Sequence, residues 1–177
     1  MIAIRKESAE VLYPEEDVVI VTAADLDELK QLALQNPRRR VRLCAHRSPQ
    51  DHLHEMFIVH TSNCYVRPHK HLGKAESMTV FEGEVDVVLF NEDGSIHQTV
   101  QMGAPGSGKI FYQRLSDSIY HTLIIRTPFL VFHECTEGPF LREKTIFPEW
   151  APAEEGAAAI EFINQIESTI REKRKCP

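Results

Sequence analysis

Between Arg40 and about Phe132 the apolar residues fall in short runs separated by turn formers. Met56-Phe57-Ile58-Val59-His60, Val85-Asp86-Val87-Val88-Leu89-Phe90, Ile119-Tyr120-His121-Thr122-Leu123-Ile124-Ile125 and Phe129-Leu130-Val131-Phe132 are rich in β-branched and aromatic residues and read as strands. Asn91-Glu92-Asp93-Gly94 is a turn, 103–108 is a Gly-rich loop, and Glu82-Gly83-Glu84 predicts a hairpin. Many short strands with such turns predict a sandwich or barrel. Helical patterns flank this region. Val18-Val19-Ile20-Val21 is a short strand candidate. Thr22-Ala23-Ala24-Asp25 is a capping-box variant, after which Leu26, Leu29, Leu32 and Ala33 recur at helical spacing until Asn36-Pro37 stops the helix. Beyond Pro148-Glu149-Trp150-Ala151-Pro152, a second helix has acidic Ala153-Glu154-Glu155 at its start and basic Arg171-Glu172-Lys173-Arg174-Lys175 at its end, complementing its dipole. Its face is traced by Ile160, Ile163, Glu167 and Ile170, with Phe162 and Ile166 beside it. The expected organisation is an N-terminal strand and helix (1–37), a barrel (38–150) and a C-terminal helix (151–177) within one structural domain, a size that supports one sizeable core.

Composition narrows the function classes. A hydrophobic fraction of 42% with 26% charged residues suits a soluble globular protein. The net charge of −6 argues against a general binder of nucleic acid or anionic membrane. No apolar run approaches a membrane span, and Met1-Ile2-Ala3-Ile4-Arg5-Lys6-Glu7 lacks the apolar core of a signal peptide, so a cytoplasmic location is expected. Cys44, Cys64, Cys135 and Cys176 have no CxxC spacing and read as free thiols.

The candidate chemistry centres on His69-Lys70-His71-Leu72-Gly73-Lys74-Ala75-Glu76. Histidines at i and i+2 share one face of a strand, and Lys70 points away. Gly73 permits a tight turn, after which Glu76 opens the strand Ser77-Met78-Thr79-Val80-Phe81-Glu82. Asn63, ahead of the pair, is a residue type that tolerates positive φ. Two imidazoles and one carboxylate suit Fe(II), Zn, Mn, Ni or Cu. The same three residues also occur with no metal role, because His-x-His on a strand near a Glu is common. His121, on a later strand, is a fourth candidate ligand.

The spacing His-x-His-x4-Glu-x6-Gly, followed by a lone strand histidine, resembles the two motifs of the cupin superfamily. Further segments are similar to the WbuC family of cupin-fold metalloproteins. These are Arg38-Arg39-Arg40-Val41-Arg42-Leu43-Cys44-Ala45-His46, His54-Glu55-Met56, Arg67-Pro68-His69-Lys70-His71, Gly73-Lys74-Ala75-Glu76-Ser77, Phe111-Tyr112-Gln113-Arg114-Leu115, Phe132-His133-Glu134 and Gly138-Pro139-Phe140. The resemblance covers about residues 20 to 152. It implies a mainly β fold, the cupin double-stranded β-helix or jelly-roll barrel, with metal ligands His69, His71, Glu76 and His121. It further implies one divalent transition metal ion per chain (Zn, Fe, Mn or Ni), a homodimer, and a surface-polysaccharide (lipopolysaccharide/O-antigen) or sugar-nucleotide context. The second motif departs from the general cupin pattern: Ser116 and Ser118 stand where Pro-x-Gly is usual, and Ile125 stands where Asn is usual. Ser116-Asp117-Ser118 still turns the chain, since these side chains bond their own backbone.

Around this centre, Tyr65 and Arg67 share the parity of His69 and His71, and with Glu134 they are the candidate catalytic groups. His133 and Glu134 point to opposite faces, so one of them looks inward. Arg40, Arg42, His46, His54, Tyr112 and Arg114 are candidate substrate contacts. In the cluster Arg38-Arg39-Arg40-Arg42, alternation puts Arg38, Arg40 and Arg42 on one face, suited either to carboxylate or phosphate or to structural pairing. His52 and His54 repeat the i, i+2 spacing without a matching carboxylate and fit a polar rim better than a second metal site. The expected ligand is a small, oxygen-rich molecule, anionic or sugar-like. The expected function is a mononuclear metal-dependent enzyme. A non-catalytic metal- or carbohydrate-binding cupin and a purely structural metal site remain as alternatives.

Overall fold

The computed structural model describes residues 3–153 and 156–175. The chain opens with β1 (Ile4–Lys6), β2 (Val11–Pro14) and helix α1 (Ala23–Gln35). There follow β3 (Arg40–Cys44), β4 (Leu53–Thr61), β5 (Lys70–His71), β6 (Glu76–Glu82), β7 (Glu84–Phe90) and β8 (Ile96–Gly103). Then come β9 (Tyr112–Leu115), β10 (Tyr120–Ile125), β11 (Phe129–Glu137), β12 (Thr145–Ile146) and helix α2 (Ala157–Lys175).

Two β faces enclose the core. One sheet runs in the order β1-β2-β3-β4-β11-β6-β9. The other runs β10-β7-β8, and the β12-β5 pair is joined to it by reciprocal backbone bonds between His69 and His121 (3.1 and 2.9 Å). Along the chain, β4, β6, β9 and β11 lie in the first sheet, while β5, β7, β8 and β10 lie on the opposing face. This exchange between facing sheets makes the protein a mainly β, cupin-like jelly roll with flanking helices. Among the described residues no helix is long and apolar enough to cross a membrane.

Strand alternation sorts the side chains. Met56, Ile58, Val80, Phe132, Leu130, Val87 and Leu123 fill the interior between the sheets. On the outer side Val41, Leu43, Val59 and Val131 pack against Leu29 and Ala33 of α1. Helix α1 starts at Thr22, whose side chain accepts from the Asp25 N–H, while the Asp25 carboxylate accepts from the Thr22 N–H (2.8 Å), as the capping-box reading anticipates. Helix α2 covers the other sheet through Ile166 and Ile170 against Val88, Phe90, Tyr120 and Ile124, with Trp150 at the margin. Asp86, buried under α2, accepts from Arg126 (2.8 Å) and Arg174 (3.0 Å).

Several local expectations are corrected. Val18–Val21 forms no strand, and Val18 and Ile20 are exposed. A strand needs a partner, and the edge of β3 is already occupied by β2, which pairs with it in parallel. Glu82-Gly83-Glu84 is a corner between the two faces, since β6 and β7 belong to different sheets. Gly83 is required there: its φ is 85°, and a Cβ would lie 2.1 Å from the Phe129 carbonyl oxygen. Among the described non-glycine residues positive φ falls on Arg39 (56°), not on Asn63. On α2 the buried stripe runs through Ala159, Ile166 and Ile170, and Ile160 faces solvent. The Glu154-Glu155 pair lies outside the described residues.

Candidate metal centre

His71 lies on the short β5 and His69 immediately before it, His121 on the neighbouring β10, and Glu76 on β6 of the opposite sheet. The backbone pairing of His69 with His121 sets these two rings 4.6 Å apart, and the His69 and His71 rings are 5.1 Å apart. Glu76 reaches across: its Oε1 lies 3.1 Å from His121 Nε2 and its Oε2 lies 3.6 Å from His71 Nε2. The structure thus brings the four predicted residues side by side.

The hydrogen bonds orient the rings. His69 Nδ1 lies 2.8 Å from the Arg67 carbonyl and His121 Nδ1 lies 2.9 Å from the Ile119 carbonyl. A carbonyl only accepts, so in both rings Nδ1 carries the proton and Nε2 keeps its lone pair. His71 Nδ1 contacts the Thr145 hydroxyl of β12 at 3.1 Å. Burial, with the neighbouring histidines adding to it, lowers the His69 and His71 pKa values to about 3. Burial also lowers that of His121 and raises that of Glu76. Neutral imidazoles held by Nδ1 are the form in which histidine donates to a metal.

Among the described residues no group of three or more His, Cys, Asp or Glu side chains is gathered tightly enough to count as a metal site as it stands. Two close donor pairs sharing Glu76 are what the geometry contains. Donors at right angles around an ion, each at about 2.1 Å, are about 3 Å apart. The separations of 3.1 and 3.6 Å are near that value, and the nitrogen and oxygen donors fit a divalent transition metal. On donor chemistry the residues fit the group.

The surrounding candidates fall in different places. The pairing Cys44↔Met56↔Glu134↔Met78↔Gln113 puts Glu134 on the inner face, with His133 on the outer face against Phe57. Burial, and secondarily the Glu76 charge, raises the Glu134 pKa; Arg42 opposes this. Tyr65 and Arg67 are occupied elsewhere. Tyr65 donates to the Pro152 carbonyl (3.1 Å), and Arg67 donates to the carbonyls of Pro148 (3.4 Å) and Ala151 (3.2 Å) while lying over the Phe147 ring. They fasten the 147–152 segment across the front of β5. Tyr112 and Arg114 point to the outer face, because Gln113 between them is paired with inward Met78. His46 and His54 are buried at the rim, with their rings stacked 4.1 Å apart, and burial lowers both pKa values. Arg40 is ion-paired to Glu10 (2.9 Å).

Two site residues escaped the sequence reading. Thr145 holds His71 from a two-residue strand 74 positions away. Ser118 donates to the His71 carbonyl (2.6 Å) and accepts from the Gly73 N–H (3.3 Å), bracing the turn between the histidine pair and Glu76. The only signal for Ser118 was its place in the turn ahead of His121, and Thr145 had none.

A family described as "Domain of unknown function (DUF6016)" matches residues 21–102, which include His69, His71 and Glu76. No curated protein matches the sequence. Among solved structures, a structural-genomics protein of Shewanella oneidensis is similar with a TM-score of 0.54 and 11% identity, over 72% of this chain and 85% of that one. At that identity the likeness speaks to fold alone. A point mutant of Bacillus subtilis oxalate decarboxylase is similar with a TM-score of 0.47 and 14% identity, over 61% of this chain and 27% of that one. Procruciferin, the 11S globulin of Brassica napus, is similar with a TM-score of 0.42 and 13% identity, over 70% of this chain and 25% of that one. This chain spans about a quarter of each of those two proteins, and neither likeness bears on function.

Proposed function

We propose that this protein is a metal-binding cupin in which His69, His71, Glu76 and His121 hold one divalent transition metal ion. The observation that carries the reading is the Glu76 carboxylate lying against two imidazoles, next to a third, with each Nδ1 already engaged. Such an ion, when bound, supplies Lewis acidity and a position for a substrate oxygen. The protein then acts as an enzyme on a small, oxygen-rich molecule. Glu134, whose carboxyl keeps its proton above the usual carboxylate range, is the inner-face group suited to giving or taking a proton. The similarity of the motif segments to the WbuC family supports a surface-polysaccharide or sugar-nucleotide context and a homodimer.

Elemental analysis of protein purified without an affinity tag tests the metal. About one equivalent per chain is expected. His71→Ala should lose most of it. Lys70→Ala should keep it, since Lys70 points away to Glu92 (2.5 Å) and the Tyr120 ring. Equal losses from both variants would defeat the assignment. Turnover of nucleotide sugars or keto acids that follows the metal identity would support the enzyme, whereas tight binding without turnover would favour a non-catalytic cupin.

A further inference from the structure

We propose that two copies of this chain associate face to face through the part of the large sheet that α1 leaves bare. This rests on the homodimer reading above, names its surface, and does not depend on a metal being held.

Helix α1 packs on the β3 side of the outer face, over Val41, Leu43, Val59 and Val131. Beyond it, two rows of outward side chains cross β4, β11, β6 and β9. The register aligns Glu55–Cys135–Ser77–Arg114 in one row and Phe57–His133–Thr79–Tyr112 in the next. Phe81 follows along β6, its ring stacked on Phe57 at 6.0 Å. Phe81 and Tyr112 are 49% and 48% exposed, so this face shows water an aromatic patch of the kind that interfaces cover.

The order of residues within the rows selects the occupant. Each row spans three strand spacings, about 14 Å, so Glu55 and Arg114 lie too far apart to pair within one chain. The in-chain ion pair of Glu55 is with His133 (3.8 Å), and none among the described residues engages Arg114. Consider a two-fold axis between two such faces, parallel to the strands and midway between β11 and β6. It reverses each row onto itself. Glu55 then lies over Arg114 of the second copy, and Arg114 over Glu55 of the second copy. Phe57 lies over Tyr112 of the second copy, and the small Cys135 and Ser77 meet at the centre. The strands of the two sheets run aligned, as in face-to-face sheet packing. A surface that is its own complement is the condition for a closed pair of identical chains.

The test is sedimentation velocity on the full chain over about 1 to 100 μM, a range that brackets micromolar association. Wild type should be dimeric by the top of that range. Tyr112→Glu should raise the dissociation constant about a hundredfold, because an aromatic contact is lost at two symmetry-related places. Arg114→Glu and Glu55→Arg should each raise it about tenfold or more, since each sets like charges opposite one another twice. The chain carrying both changes should recover wild-type association. The two single variants, mixed, should pair with each other more tightly than either pairs with itself, because one has two cationic row ends and the other two acidic ones. Circular dichroism checks that the variants are folded; should Tyr112→Glu not fold, the mixing result decides. A dimer indifferent to these substitutions, or single variants without preference for each other, would overturn this face and leave the homodimer reading standing. A wild type that stays monomeric throughout would overturn both.

Discussion

His60 couples folding to proton concentration. It is buried inside the barrel, its Nδ1 has no partner, and burial lowers its pKa from the ordinary 6.5 to about 3. The unfolded chain takes up a proton near pH 6.5, whereas the folded chain resists until about pH 3. His60 therefore favours folding fully above pH 6.5, and that advantage is lost as pH falls toward 3. Replacing it by leucine removes the linkage. Between pH 7.5 and 5 the stability of wild type relative to His60→Leu should fall by about 2 kcal/mol, read from urea midpoints. A difference that does not change with pH would show that His60 is not held neutral. Thr145 acts on the candidate centre by orienting His71. Thr145→Val should weaken zinc binding about tenfold in competition with a chromogenic chelator, and Thr145→Ser should restore it. His69, His71 and Glu76 were legible because strand alternation and one tight turn are local rules. Thr145 was not, because its role depends on β12 meeting β5.

The elements that the sequence announced most clearly were those with local signals. Helix α1 carries its own cap and stop, and the central strands carry their own apolar runs. The misreadings at Val18–Val21 and at Gly83 have one cause: a strand is defined by its partner, and partners are chosen across the molecule. Gly83 turns the chain from one sheet to the other against the Phe129 carbonyl. Gly83→Ala combines positive φ with that contact, so it should cost more than about 2 kcal/mol in urea unfolding. A loss below about 0.5 kcal/mol, the range of surface substitutions, would contradict the close approach described here.

In the molecule as a whole, the candidate centre bridges the two β faces. Glu76 belongs to the larger sheet, and the three histidines belong to the opposing one. An ion held by all four would cross-link the barrel and stabilise only the folded chain. Zinc at about a hundredfold its dissociation constant should therefore add about 2.7 kcal/mol, and a chelator should remove it. Thermal unfolding at several zinc concentrations checks this, and a midpoint that ignores zinc would count against the four-residue site.

Period-2 alternation, capping chemistry and turn residues act within a few positions, so they were readable along the chain. They led to a mainly β barrel between two helices and to the His-x-His and Glu candidates. Inward or outward direction at β9, the diversion of Tyr65 and Arg67 to the 147–152 segment, and the pairing of Arg38 and Arg40 with Glu10 were not readable. Each of these depends on register between strands or on a charge partner far away in sequence, and those are set by packing the whole barrel at once.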